Sequence, residues 1–133
     1  MTNTKAFDGT ETAGTALALV ATGGTNGTRV DKLILRFTST AGATASGTTN
    51  ATVARIWYNN GGDNTTASNN ILKREVTIPA QAVTALATAG LEPITEITDL
   101  PLLPSGYKIY VGLTVAVGGT NCAIAPSFEG GDY

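Results

Sequence analysis

Ile109-Tyr110-Val111-Gly112-Leu113-Thr114-Val115-Ala116-Val117 is the stretch on which the fold turns. Its aliphatic residues fall on every second position, and Tyr, Gly, Thr and Ala fill the positions between. Successive side chains of an extended strand point to opposite faces. Ile109, Val111, Leu113, Val115 and Val117 are therefore expected on one core-facing side, with Gly112 and Thr114 on the other. The same period recurs outward along the chain. Leu33, Leu35 and Phe37 alternate with Lys32, Ile34 and Arg36, and Ala54, Ile56 and Tyr58 alternate with Val53, Arg55 and Trp57. A shorter strand is expected over Leu72–Ile78, with Arg74, Val76 and Ile78 on one side. Thr15–Val20 and Cys122–Phe128 read as strands near the two ends, and Ile94–Thr98 as a weaker one.

Turn chemistry separates these segments. Gly23-Gly24-Thr25-Asn26-Gly27 and Asn59-Asn60-Gly61-Gly62-Asp63-Asn64 are rich in residues that accept positive φ cheaply. Pro101-Leu102-Leu103-Pro104-Ser105-Gly106 reads as a stiff extended approach that turns into a strand at Tyr107. Gly118-Gly119-Thr120-Asn121 reads as a hairpin loop between the last two long strands. Two stretches stay open. Phe37–Ala54, uncharged and rich in small residues, suits a loop or a tightly packed strand, and Ala80–Gly90 suits a short helix or a loop. Many short strands without a convincing long helix indicate an all-β fold. We expect a single domain over 1–133, a β-sandwich of about seven or eight antiparallel strands with jelly-roll-like topology; an immunoglobulin-like order is the alternative.

Composition narrows the chemistry. The 133 residues contain no His and one Cys, Cys122. Sites that need a histidine base or ligand are excluded, as are an internal disulfide and thiolate metal sites. The net charge is −2 and the eight Lys and Arg are scattered. A nucleic-acid surface needs a clustered basic patch, so none is expected. The N-terminus places Asp8 and Glu11 ahead of its apolar run, unlike a secretory signal. Ile109–Phe128 is uncharged but broken by Gly and Pro, a poor membrane span. A soluble protein made in a reducing cytoplasm is expected.

Four groups of residues could carry chemistry. Asn59–Asn64 has oxygen-bearing side chains that could meet Ca²⁺, but only Asp63 is acidic, and Ca²⁺ favours several carboxylates; a plain loop is the simpler reading. Glu92, Glu96 and Asp99 could form a glycosidase-type carboxylate pair. The prolines on either side favour solvated charges on an edge strand instead. Trp57 and Tyr58 could stack together on a sugar; the plainer expectation is one ring in the core and the other at an interface. Cys122 lies in a strand and reads as a buried inert thiol. Asn26, Asn50 and Asn64 match the glycosylation pattern, which without export reflects only Asn/Thr richness. No catalytic, cofactor-binding or metal residues are expected.

Leu103-Pro104-Ser105-Gly106-Tyr107-Lys108-Ile109-Tyr110-Val111, with the terminal Gly130-Gly131-Asp132-Tyr133, resembles a group of small tailed-bacteriophage virion proteins. These share an LP-x-GY-x-(I/L)-(Y/R)-V strand entry, a last hairpin and a GGDY-like end. The similarity covers Arg55 to Tyr133. It implies a capsid decoration or cement protein: a β-sandwich module, commonly trimeric, that sits on the outside of the phage head and bridges major capsid subunits. The implied partners are further copies of the chain and the major capsid protein, and the implied location is the virion. A core of 37 apolar residues larger than Ala is thin for one domain, and oligomerisation is a usual remedy. The competing expectation is a fibre- or receptor-attachment module that holds glycan through its aromatic surface.

Overall fold

A computed structural model describes residues 17–39, 46–64, 66–83, 94–115, 117–118 and 122–133. They form β1 (Leu17–Thr22), β2 (Thr28–Ser39), β3 (Gly47–Thr48), β4 (Thr52–Asn59), β5 (Asn70–Ile78), β6 (Ala82–Val83), β7 (Ile94–Ile97), β8 (Lys108–Leu113) and β9 (Cys122–Asp132). Among the described residues the only helical element is one 3-10 turn, Ala67–Asn69, and no helix is long and apolar enough to cross a membrane. The fold is all-β. One sheet has the order β1-β8-β4-β5, a second β7-β2-β9, and β3 pairs β6 in a two-residue ladder. Every pairing in the three sheets is antiparallel.

The two larger sheets share one core, as in a sandwich. Leu33, Leu35 and Phe37 of β2, Ile97 of β7 and Ile124 of β9 pack with Ile56 and Tyr58 of β4 and Ile109, Val111 and Leu113 of β8. All of these are buried, and the period-two expectation for β2 and β4 holds. Chain direction explains the topology. β1 and β2 are joined by the Gly23–Gly27 turn but lie in different sheets; β1 pairs β8 while β2 pairs β7. One two-strand ribbon therefore folds over another. Among the described residues the second sheet has three strands, so the sandwich is shown and the jelly-roll order is not.

Two expectations need correction. β8 ends at Leu113, so the alternation does not continue as one strand. Val53 O accepts Thr114 N–H at 3.0 Å, and Thr52 Oγ1 accepts Val115 N–H at 3.1 Å while donating to Val115 O at 3.0 Å. A threonine side chain thus takes over the backbone bonding and turns the chain out of the ladder. Val115 ends 46% exposed, whereas Val117 returns to the core. Nor is Gly118–Asn121 a hairpin loop: β8 and β9 belong to different sheets, so the connection crosses the sandwich. Gly118 is described, with φ +60°; 119–121 lie outside the described residues.

The ambiguous stretches resolve in part. Phe37–Ala54 holds the end of β2, all of β3 and the start of β4, with 40–45 outside the described residues. Ala80–Gly90 contains β6, and 84–90 lie outside. β9 runs beyond Phe128 to Asp132, and its end is held against the first turn: Thr28 Oγ1 donates to Asp132 Oδ1, Tyr133 N–H to Gly27 O, and Asn26 Nδ2 to Tyr133 O. Two of the edges are protected. β5 carries Lys73-Arg74-Glu75 and a bulge in its pairing with β4, and β9 carries Pro126, which cannot donate to another strand.

Close approach at one glycine yields a direct test. A Cβ on Gly130 would stand 1.9 Å from Arg29 O, while one on Gly131 would meet nothing within 4 Å. Gly130→Ala is expected to lower stability by about 1–3 kcal/mol, because backbone has to move. Gly131→Ala should stay within about 0.5 kcal/mol. Urea unfolding of the two variants measures this, and equal losses would contradict the β2–β9 register.

Candidate functional site

The Asn-rich loop between β4 and β5 is built by its own amides. Asn59 is fully buried; its Oδ1 accepts Gly61 N–H at 2.8 Å and its Nδ2 donates to Asn70 Oδ1 at 2.9 Å. Asn60 repeats the pattern, accepting Gly62 N–H at 3.0 Å and donating to Asn69 at 3.2 Å. Asn69 Nδ2 and Asn70 Nδ2 reach the carbonyls of Asp63 and Thr66. The Asn59 and Asn60 oxygens considered for Ca²⁺ are thus turned onto the loop's own N–H groups. Among the described residues no three His, Cys, Asp or Glu side chains gather.

The other candidates disperse. Glu96 lies on edge strand β7 and pairs with Lys32 at 2.9 Å; Lys32 also meets Glu129 at 3.3 Å. These carboxylates hold Lys32 protonated, raising its pKa, with Glu96 the larger cause. Asp99 adopts φ +59° beside Thr98, and Glu92 lies outside the described residues. Trp57 and Tyr58, adjacent on one strand, face opposite ways and cannot form a joint stacking platform. Tyr58 enters the core, with its hydroxyl donating to Pro101 O at 2.9 Å. Trp57 packs on the opposite face with Leu17 and Tyr110. Cys122 is buried, which pushes its thiol pKa up.

Two features were not legible beforehand. The first is a row across the outer face of the four-stranded sheet. Register aligns Leu19 with Tyr110, Tyr110 with Trp57, and Trp57 with Leu72. All four are apolar or aromatic; the ends, Leu19 and Leu72, are 50% and 41% exposed, while Tyr110 is buried and Trp57 half-buried against it. Pairwise patterns within single strands do not reveal such a row, because it runs perpendicular to the chain.

The second is an open pocket of about 290 Å³ between the Asn-rich loop, β5 and the segment leading into β8. Its lining combines apolar side chains, among them Ile71, Leu102, Pro104 and Tyr107, with the polar Asn60, Ser68 and Asn69, and includes Tyr58 and Lys73. Lys73 Nζ stands 5.5 Å over the Tyr58 ring, within cation–π range. The bulge in the β4–β5 register leaves Lys73 without a paired residue opposite it. Compared with known protein families, curated proteins and solved structures, the chain has no match.

Proposed function

We propose that the chain is a structural module of a phage particle, a capsid decoration protein that assembles as a trimer and braces major capsid subunits from outside. The observation that carries this reading is the row Leu19–Tyr110–Trp57–Leu72 on the outer face of the four-stranded sheet. Its two ends, Leu19 and Leu72, stand half in water, where an outer sheet face normally carries polar residues. Turning these ends toward a three-fold axis removes them from water in every copy. The thin core and the resemblance of residues 55–133 to phage decoration proteins support the same reading. Binding only to the assembled shell stabilises that shell by the binding free energy.

Light scattering of the purified chain is expected to give the mass of a trimer, and Leu19→Asp with Leu72→Asp the mass of a monomer. Both positions are exposed enough for the variant to fold. Particles without the protein should burst at lower temperature than particles carrying it. A monomeric wild type, with particle heat resistance independent of the protein, defeats the proposal.

A further inference from the structure

The pocket beside Lys73 has a chemistry that selects its ligand. Among the described residues Lys73 forms no ion pair within 4 Å; the pairs present involve Arg29, Lys32 and Arg55 instead. None of the lining residues carries a carboxylate. Among the described residues Arg74 and Lys108, its neighbours in β5 and at the start of β8, donate to the carbonyls of Thr98 and Gly61. Asp63 belongs to the same loop but does not line the pocket.

The amides among the lining residues add donors. Asn60 Nδ2 and Asn69 Nδ2 each give one hydrogen to the loop, to Asn69 Oδ1 and Asp63 O. An amide nitrogen has two, so one remains on each. Ser68 contributes a hydroxyl. The same lining includes Tyr107, Pro104 and Leu102, the last 54% exposed. The ligand that fits is acceptor-rich on one side, apolar on the other, and singly anionic. The volume sits at the lower end of ligand pockets, which span about 300–1,000 Å³, and suits one substituted ring.

We propose that this pocket binds an acidic sugar, a hexuronic-acid-type unit of a glycan, with its carboxylate toward Lys73, its hydroxyls toward Asn60, Asn69 and Ser68, and its C–H face on Tyr107 and Pro104. An acid without hydroxyls would desolvate the amides without giving them partners. A neutral sugar would forgo the attraction of the Lys73 charge. The site is independent of the capsid reading, because it lies in the pocket and not on the outer-face row.

The test is titration of the full-length protein with methyl glucuronide, methyl glucoside and cyclohexanecarboxylate, followed by amide NMR shifts. The glucuronide is expected to bind in the millimolar range, with shifts centred on Asn60, Asn69, Lys73 and Tyr107, and about three- to fivefold more tightly than either control. Lys73→Met, which keeps the methylene packing, should erase the preference for glucuronide over glucoside. Tyr107→Ala should weaken both sugars. Lys73→Gln repeats the charge test if Lys73→Met disturbs the spectrum elsewhere. Equal binding of the two sugars overturns the proposal, as does the absence of shifts at these residues. Cyclohexanecarboxylate binding as tightly as glucuronide also overturns it, and would mark the pocket as a seat for acidic peptide.

Discussion

Leu113→Ala is expected to cost about 2–5 kcal/mol, while Val115→Ala, two residues on, should cost less than about 0.5 kcal/mol. Leu113 is fully buried between the two sheets and lies in register with Ala54. Truncation there removes apolar contact and leaves a cavity that close-packed neighbours fill only in part. Val115 stands outside the ladder, half in water, with its backbone tied to Thr52. The backbone bonds survive its truncation, so little is lost. Urea midpoints of the two variants, at unchanged slope, provide the measurement. A large loss at Val115 would restore the uninterrupted strand and refute the break at Thr114.

Stability should also fall steeply in alkali because of Tyr58. Burial pushes its pKa from 10.0 up to about 12. The phenol is held neutral in the core, with its hydroxyl donating to Pro101 O. Below pH 10 both folded and unfolded chains keep the proton and Tyr58 contributes no slope. Between pH about 10 and about 12 the unfolded chain releases it first, so the unfolded state binds fewer protons and stability declines as pH rises. A shift of two units corresponds to about 2–3 kcal/mol lost across that window. Tyr110 and Cys122 are displaced in the same direction by burial, so the wild-type curve contains their parts too. Tyr58→Phe isolates the effect. It should be about 1 kcal/mol less stable than wild type near neutrality, for want of the hydroxyl bond, and should close that gap as pH rises. Parallel pH profiles for the two proteins would show that Tyr58 ionises freely in the fold.

The central strands β2 and β4 could be read from alternation because burial on one face imposes a period of two. Leu33, Leu35 and Phe37 follow it without exception, and so do Ala54, Ile56 and Tyr58. The opposite placement of Trp57 and Tyr58 follows from the same rule. The edge character of β7 was legible in its flanking prolines and its charges, and the turn at Gly23–Gly27 in its composition. These properties are local: each depends on a residue and its neighbours within about four positions.

Tertiary structure settled the remainder, through contacts between residues far apart in sequence. Apolar alternation across residues 109–117 cannot show that Thr52, some sixty positions earlier, will capture the backbone of Val115 and end the strand. A glycine-rich loop looks the same whether it closes a hairpin or crosses between sheets; β9 crosses because β2 offers it an eleven-residue partner edge. The pocket gathers Asn60, Lys73 and Tyr107 from three segments, and the outer row takes one residue from each of four strands. Period two assigns a side chain to a face, but the neighbour it meets on that face is set by strand order and register, which arise only when the two sheets close over a common core.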